Sequence, residues 1–365
     1  MKVLLVSGIY RPEIGGPATY IPTLAQALTN RSNSVEVVTL KNSSSAPMIE
    51  KWAVNYIKRD QALPFRFIKT FWLIYKKAKN SDVIFANGLH QETALALIFL
   101  KKRSVAKVVG DPVFERASNK GLTNLSIYDF NRSSLNLNFR MQRLFIRWSL
   151  NRFDVITCPS RELMNRVEGW GVSKPIQFIP NGVAPIKEKH HKKNFEIITV
   201  SRLIALKNID KLIYACASTN RTLAIVGSGP EETKLVSLAK SLGAKVTFFG
   251  QLGESDVINT LQKSKVFALL SDYEGLSFAL LQAMAVGLPS IVSNVKGNSD
   301  VITDGKEGFL VNINEKDSIE TAIESLLNSK KRITDFGRAA INKVQNDYLL
   351  ETQISKAIAL MSSEK

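Results

Sequence analysis

Four segments of the chain carry residue types suited to binding a phosphorylated ligand: Gly15-Gly16, the cations Arg202 and Lys207, residues 227–230 and residues 271–289. Glycines let backbone N–H groups approach a phosphate closely, and the N-terminus of a following helix favours an anion. Arginine offers a planar fork of donors and lysine a point charge to the oxygens of a diphosphate. Taken singly, each segment could equally be a plain turn or a pair of solvated cations.

Residues 271–289 are the richest of these segments, because a predicted strand leads there through Glu274-Gly275-Leu276-Ser277 into a predicted helix. N–H groups at the start of that helix, near Leu276, could bind a phosphate. Gln282 stands eight residues after Glu274, which would place both side chains on one side of a helix. A helix cap is the alternative role for Glu274.

The elements that must position these residues alternate between strands and helices. In the first half, we predict strands at 3–9, 35–40, 83–85, 107–109, 155–157 and 176–179. In the second half, we predict strands at 196–200, 222–226, 246–249, 266–270 and 290–292. This alternation predicts an α/β protein with two doubly wound parallel sheets, in which ligands bind beyond the carboxyl ends of the strands.

A chain of 365 residues exceeds the usual size of one hydrophobic core, so two domains are expected. We place a first domain at 1–183, a polar and basic linker at 184–194, a second domain at 195–345 and a C-terminal helix at 346–365. That helix could cross back to the first domain. The helical pattern over 333–362 predicts one long helix or a broken one.

The net charge of +17 lies mostly in the first half: residues 1–183 carry 26 Lys and Arg against 12 Asp and Glu, a balance of +14. This asymmetry indicates an anionic partner, which could be nucleic acid, a membrane surface or a phosphorylated substrate. An ordinary soluble surface is the alternative. Two basic stretches of the first half, 65–77 and 139–148, also contain many bulky apolar residues. Helices of this composition can lie on an anionic bilayer, unless their apolar faces belong to the core.

The cysteines, Cys158 and Cys216, are too few for a disulfide framework, which favours a cytoplasmic protein. The three histidines and two cysteines lack the spacing of a zinc site. The apolar N-terminus is too short for a signal peptide, and we interpret it as the first buried strand. We find no run of about 18 apolar residues, the length that a membrane span needs.

Taken together, the four segments resemble the retaining GT-B glycosyltransferases of family 4, the group 1 type. The second half carries the more specific part of the resemblance, with Arg202 and Lys207, residues 227–230 and residues 274–289 in the family's order. The resemblance covers essentially the whole chain. It implies a GT-B fold, in which two Rossmann-like domains face each other across a cleft that holds the donor.

The resemblance also implies roles for individual residues. Arg202 and Lys207 would bind the donor diphosphate, and Glu274 would contact the donor sugar. The remaining donor-binding positions would be Gly15, Gly16, Gly227, Gly250, Gly275, Leu276, Ser277 and Gln282. Backbone groups near Gly250 would hold the base. The family needs no metal, and we find no Asp-x-Asp motif, so we expect neither a metal nor another cofactor.

Two departures from the family pattern stand out. Gln282 occupies the position of a glutamate that usually holds the ribose hydroxyls; an amide can still donate and accept a hydrogen bond there. The histidine that often lies near the donor sugar is absent, and Asp111 is the nearest polar residue for a catalytic role. His90 could reach the acceptor from the loop after another strand, or could be an ordinary loop histidine.

These features predict a hexosyltransferase that moves a sugar, with retention, from a UDP- or GDP-sugar to a saccharide or a lipid-linked acceptor. Synthesis of cell-surface polysaccharide, lipopolysaccharide or glycolipid would be its setting, at the inner face of the cell membrane. The nucleotide-sugar epimerases of similar architecture and a non-catalytic binding protein are the alternatives. A nucleic-acid-binding protein would explain the charge but not the Glu274 segment.

Overall fold

The computed structural model describes residues 1–13, 15–42, 49–119, 121–123, 125, 127–132, 136–186, 192–315 and 317–362. Residues 187–191, within the predicted linker, lie outside the described residues. The chain divides into two compact units. The first comprises Met1–Val113, Arg132–Asn181 and the segment from Thr352 onwards, and the second comprises Phe114–Asn131 and Gly182–Glu351.

The first unit contains a seven-stranded parallel sheet in the order β3-β2-β1-β4-β5-β6-β7. Its strands are β1 Lys2–Ser7, β2 Ser34–Lys41, β3 Ala53–Lys58, β4 Val83–Asn87, β5 Arg103–Lys107, β6 Val155–Cys158 and β7 Ile176–Phe178. The helices of the first half are α1 Gly16–Asn30, α2 Leu63–Lys79, α3 His90–Phe99, α4 Pro112–Asn119, α5 Ile127–Arg132, α6 Leu137–Leu150 and α7 Arg161–Gly169. The order of the sheet reverses at β1 and β4, where a doubly wound sheet forms its crevice.

The second unit contains a six-stranded parallel sheet in the order β10-β9-β8-β11-β12-β13. Its strands are β8 Phe195–Val200, β9 Leu223–Val226, β10 Val246–Phe248, β11 Ser264–Leu269, β12 Ser290–Ser293 and β13 Gly308–Val311. The helices of the second half are α8 Ile209–Ser218, α9 Glu232–Ser241, α10 Glu254–Gln262, α11 Phe278–Ala285, α12 Lys296–Ser299, α13 Ser318–Leu327, α14 Lys330–Asp347 and α15 Leu350–Ser362, together with a 3-10 helix, Ala205–Lys207. The order reverses at β8 and β11.

The strands β9, β11 and β12 of the second sheet bury both of their faces, as parallel strands between helical layers do. In β11, Phe267 and Leu269 join the core on the side of α10, α11 and α14. The alternate residues Val266 and Ala268 join the core on the side of α8, α9 and α13. This period-two alternation explains why the strand is an unbroken apolar run in the sequence.

The observed elements match most of the predicted strands, and the exceptions are instructive. The predicted strand 107–109 was displaced: β5 ends at Lys107, and Asp111 lies four residues beyond it. The sheet-edge strands β3 and β13 were missed. In β3 only Ile57 is buried, so the sequence there lacks the continuous apolar run of a central strand. Over 333–362 the chain forms two helices, α14 and α15, with a break at Tyr348 and Leu349.

The division into two units differs from the predicted single boundary at residue 183, because each unit is made of more than one segment of the chain. Residues 114–131 group with the second unit, where the Phe114 ring lies 5.5 Å from that of Phe130 and 6.3 Å from that of Tyr273. The chain also returns beside Val183 after α14: the Val183 N–H donates to Tyr348 O at 2.9 Å, and the Leu350 N–H donates to Val183 O at 3.0 Å. Among the described residues, no helix is both long and apolar enough to cross a membrane.

Candidate functional site

Three loops at the carboxyl edge of the second sheet are joined by backbone hydrogen bonds. The Ser201 N–H, just after β8, donates to Val226 O at 3.1 Å, and the Leu203 N–H donates to Ser228 O at 2.9 Å. The Gly227 N–H, just after β9, donates to Gly250 O at 2.8 Å. The loops that carry Arg202, Gly227 and Gly250 are therefore held in one arrangement.

Gly227 is the residue on which this arrangement depends. Its φ is 133°, and a Cβ atom on it would lie 1.9 Å from Ser201 O. A side chain there would push apart the loops that follow β8 and β9, so the close approach of the two backbones requires glycine. The sequence identified this turn correctly but did not reveal which backbone it approaches.

The centre of the candidate site is a partly buried ion pair between Lys207 and Glu274, which are 67 residues apart in the chain. The Lys207 ammonium donates to Glu274 Oε1, which also accepts from Ser271 Oγ at 2.7 Å. The two charged side chains are only 15% and 11% exposed. A lysine and a carboxylate in this environment interact more strongly than they would in water, and both remain at the edge where the strands end.

Backbone contacts bring the two partners together. The Asp272 N–H donates to Leu206 O at 3.0 Å, and Asn208 Nδ2 donates to Leu270 O at 2.9 Å. These bonds join the loop after β8 to the loop after β11, the adjacent strand of the sheet. Nearby, the backbone of α12 is so close that a Cβ on Gly297 would lie 2.0 Å from Glu274 O.

Arg202, the second predicted diphosphate ligand, is exposed. Within the part of the chain that the structure describes, its guanidinium makes no hydrogen bond or ion pair. Its donors are thus available to an anion, whereas Lys207 already shares its charge with Glu274. The two cations predicted as equivalent ligands therefore differ: one is presented to solvent, and the other is held in place by a carboxylate.

The helix expected near Leu276 begins two residues later, at Phe278, because Ser277 is its cap. Ser277 Oγ accepts the N–H of Leu280 at 3.2 Å. Gly275 therefore lies in the loop before the cap, and the side chain of Leu276 joins the hydrophobic core. The first-turn N–H groups of α11 remain the ones that could face an anion.

Glu274 lies just before α11, as predicted, four residues ahead of its first residue, Phe278. Gln282 Nε2 lies 3.4 Å from Glu254 Oε1, at the start of α10. The amide thus has a carboxylate neighbour that the sequence reasoning missed. Ser271 was also not assigned a role, although its position directly after β11 was a usable signal.

In the first unit, Gly15 and Gly16 form the N-terminus of α1. Gly15 is the cap, with φ 154°, and its carbonyl accepts the Thr19 N–H at 3.2 Å. The loop between β1 and this cap is tied down by an ion pair in which Arg59 donates to Glu13 at 2.8 Å. The helix start is therefore held at the carboxyl end of β1, where its free N–H groups could bind an anion.

The carboxylate of Asp111 makes contacts that support the surrounding fold. Its carboxylate is fully buried; Oδ1 accepts the Val113 N–H at 3.1 Å, and Oδ2 accepts from Arg143 at 2.9 Å. Arg143 in turn lies over the Trp170 ring, 4.4 Å from its centre. Both carboxylate oxygens thus serve to start α4 and to fix α6, an arrangement that the sequence spacing could not reveal.

His90 is the first residue of α3 rather than a loop residue. Its Nε2 lies 3.1 Å from Lys107 O, and its ring packs edge-on against Phe153 at 6.0 Å. Burial lowers the pKa of His90 to about 4, so the ring is neutral at physiological pH. These contacts join the loop after β4 to the end of β5.

Among the described residues, no group of three or more His, Cys, Asp or Glu side chains could hold a metal ion. The groups that the structure brings together at the second sheet are instead one ion pair, one hydroxyl, one exposed guanidinium and the N-terminus of a helix. Such a set can bind a diphosphate and stabilise charge on a departing phosphate.

Two family models match the chain. Residues 14–186 match glycosyltransferase family 4, and residues 184–343 match glycosyl transferases group 1. The chain is 26% identical over 230 residues to an N-acetyl-alpha-D-glucosaminyl L-malate synthase of Bacillus anthracis, with 58% of this chain and 60% of that relative covered.

It is also 27% identical over 243 residues to a GDP-mannose-dependent phosphatidylinositol monomannoside mannosyltransferase of Mycolicibacterium smegmatis, with 59% and 64% covered. The matches thus span less than two thirds of either relative's length.

Among solved structures, HepE of Anabaena in complex with UDP and glucose has a TM-score of 0.82 at 17% identity, with all of both chains covered. Sucrose-phosphate synthase of Thermosynechococcus elongatus has a TM-score of 0.80, also at 17% identity, with 99% and 98% covered. These likenesses, with the two parallel sheets, show the GT-B fold. Because the two family models together match nearly the whole chain, the protein belongs to the group 1 type of family 4 glycosyltransferases.

Proposed function

We propose that the protein transfers a sugar from a nucleotide diphosphate donor, with retention of configuration, to a saccharide or lipid-linked acceptor. The observation that carries this proposal is the Lys207–Glu274 pair, held with Ser271 at the carboxyl edge of the second sheet, where the exposed Arg202 precedes Lys207 in the segment after β8. The cations would neutralise the charge that develops on the leaving diphosphate. Glu274 would contact the donor sugar.

The reaction needs no protein nucleophile if the acceptor attacks from the face that the diphosphate leaves. The leaving phosphate then accepts the proton of the acceptor hydroxyl. Arg202 and the N-terminal N–H groups of α11 would hold that phosphate in place. No metal enters this scheme.

The relatives support a lipid-associated acceptor. The Mycolicibacterium smegmatis relative is named for a phosphatidylinositol mannoside, and an Escherichia coli relative, 33% identical over 213 residues, is named for a diphosphoundecaprenol-linked acceptor. The name of the Escherichia coli relative specifies UDP-Gal, and that of the Mycolicibacterium smegmatis relative specifies GDP-mannose. UDP-sugars and GDP-sugars are therefore both candidate donors for this chain. We place the reaction at the cytoplasmic face of a membrane, in the synthesis of a cell-surface glycan or glycolipid.

The decisive experiment incubates the protein with a panel of UDP-, GDP- and ADP-sugars and with a polyprenyl-diphosphate sugar or a glycolipid as acceptor. A glycosylated acceptor with the donor's anomeric configuration, identified by mass spectrometry and NMR, is the expected product. A new sugar nucleotide formed without any acceptor would instead identify an epimerase. Donor binding with no product from any acceptor would indicate a binding protein.

A further inference from the structure

Three helices of the first unit, α2, α3 and α6, lie side by side and share an unusual surface. Phe71 of α2 lies 6.3 Å from Phe99 of α3, and Phe67 of α2 lies 6.5 Å from Phe145 of α6, measured between ring centres. Ring contacts thus join the facing edges of neighbouring helices, and the exposed sides of the helices form one surface.

Exposed apolar side chains are concentrated on this surface, and such concentrations mark interaction sites. Ten of the 18 exposed large hydrophobic side chains among the described residues lie on these three helices. We define the aromatic-basic face by six of them: Phe65, Ile68, Trp72, Phe99, Met141 and Leu144. Phe65, Trp72 and Phe99 are each more than half exposed.

The apolar side chains of α2 are not scattered around the helix. The buried positions are Thr70, Ile74 and Ala78, and these fix the side that packs on the sheet. Phe65, Ile68 and Trp72 recur every three or four residues on the opposite side, and Lys76 and Lys79 continue the same stripe. One stripe therefore begins with bulky apolar groups and ends with cations.

The charges of α2 and α6 are all positive, and the one charged side chain of α3, Glu92, is buried. Helix α2 contains five Lys and Arg and no Asp or Glu, and α6 contains three Arg and no acidic residue. Some of these cations are engaged inwards: Lys77 pairs with Glu36 at 3.1 Å, and Arg143 pairs with Asp111. Lys69, Lys76, Lys79, Arg140 and Arg147 remain on or beside the outward side.

We propose that the aromatic-basic face docks on an anionic lipid bilayer. Its apolar side chains would enter the region between headgroups and acyl chains, where aromatic rings are favoured, and its cations would contact lipid phosphates. An anionic bilayer can contact both the apolar side chains and the cations of the face, because its hydrocarbon region lies directly beneath a layer of negatively charged headgroups. Docking of this kind deepens the proposed function, on which it rests for the lipid-linked acceptor.

The test is sedimentation of the full chain with vesicles of phosphatidylcholine alone or with about 30% phosphatidylglycerol. We expect binding to the anionic vesicles, weakened when salt is raised from about 0.1 to 0.5 M. The double variant Phe65→Ser/Trp72→Ser and the double variant Lys69→Glu/Lys76→Glu should each reduce vesicle binding about tenfold or more. All four side chains are exposed, so we expect both variants to fold, and circular dichroism of each variant checks this.

The matched control is Tyr214→Ser/Val236→Ser, which removes two comparably exposed apolar side chains from α8 and α9 of the second unit and should leave vesicle binding unchanged. Negligible binding to both vesicle types would overturn the proposal. So would a lipid-free dimer that Phe65→Ser/Trp72→Ser converts to a monomer, because the face would then be a contact between two copies of the chain.

Donor binding by calorimetry on the same variants separates the two proposals. Vesicle binding is measured without donor or acceptor, so a wild-type protein that binds a nucleotide sugar but neither vesicle type contradicts only the docking surface. Intact vesicle binding in a protein that binds no nucleotide sugar contradicts only the proposed transfer.

Discussion

At the scale of single residues, Glu274 is the group whose loss should affect catalysis most. Glu274→Ala is expected to remove about 2–4 kcal/mol of transition-state stabilisation, as the loss of other preorganised polar groups does, and to lower turnover about 30- to 1000-fold. The cost to folding should be smaller, because Lys207 is 15% exposed and can reach water. Turnover and urea denaturation of the same variant measure both effects.

The matched control is Glu231→Ala, which removes a carboxylate that pairs with the exposed Lys234 at 3.2 Å on the surface of the same unit. Its turnover should equal that of the wild type. Near-normal turnover of Glu274→Ala would exclude that carboxylate from the reaction.

The neighbour of Gln282 determines the outcome of changing it. A glutamate at this position would face the carboxylate of Glu254, which lies within 3.4 Å of the present amide. Like charges at such a distance in water repel by about 1 kcal/mol or less. We therefore expect Gln282→Glu to weaken donor binding about two- to fivefold, although an isolated carboxylate would bind the ribose hydroxyls better than an amide does.

The double variant Gln282→Glu/Glu254→Gln exchanges the two groups and should restore the affinity, with Glu254→Gln alone as the control. Calorimetry with one donor, at one pH and salt concentration, measures all four proteins. Equal affinities in all of them would show that neither side chain is near the donor.

Lys107 is a buried base whose charge should make stability depend on pH. Its Nζ lies 4.2 Å from the centre of the Tyr20 ring and has no hydrogen-bond partner among the described residues. Burial lowers the pKa of Lys107 from 10.5 to about 7, an effect that the nearby Cys158 thiol slightly opposes. Between these two values the unfolded chain binds a proton that the folded chain does not.

The wild-type protein should therefore gain stability as pH rises from 7 towards 10.5. Lys107→Met keeps the length of the side chain and removes the charge, so it should stabilise the fold, by up to about 4 kcal/mol at pH 7 and by progressively less at higher pH. Urea denaturation at several pH values checks this, with the exposed Lys101→Met as control. A difference between variant and wild type that does not change with pH would contradict the prediction.

At the scale of elements, the junction of the loops after β8 and β9 depends on Gly227. Gly227→Ala would place a Cβ 1.9 Å from Ser201 O in a backbone of φ 133°, so the two loops must separate. We expect the free energy of unfolding to fall by about 3 kcal/mol or more, and donor binding to fall with it.

Gly243→Ala is the matched control, because Gly243 also has a positive φ, 60°, but nothing lies within 4 Å of its Cβ position. Strain alone should cost it about 1 kcal/mol. Urea denaturation that gave equal losses for the two variants would show that the backbone conformation, rather than the contact between loops, is the essential property.

At the scale of the whole molecule, donor binding should stabilise the chain by mass action without a divalent metal. A donor present at about 100 times its Kd adds about 2.7 kcal/mol to the free energy of unfolding. We expect the same increase in melting temperature with and without EDTA. Loss of the donor's effect on adding EDTA, and its recovery on adding Mg²⁺ or Mn²⁺, would contradict a metal-free site.

The sequence by itself determined the two parallel sheets and the edges at which their chemistry lies. Central strands buried on both faces are continuous apolar runs, and each loop after such a strand must emerge at the carboxyl edge. For this reason Gly15, Arg202, Gly227 and Glu274 could all be assigned to strand ends before any contact was known. The edge strand β3 escaped prediction because only one of its residues is buried.

Only the tertiary structure decided which side chains meet. Lys207 contacts Glu274 because β8 and β11 are neighbours in the sheet. The order of strands in the sheet cannot be read from their separation in the sequence. The carboxylate of Asp111, the nearest polar candidate for a catalytic role, accepts hydrogen bonds from Arg143 and from the Val113 N–H at the start of α4. The sequence also did not show which side of α2 faces outwards, because a helix with apolar residues all around does not reveal which side packs on the sheet. Packing fixed that choice, and left Phe65 and Trp72 facing outwards.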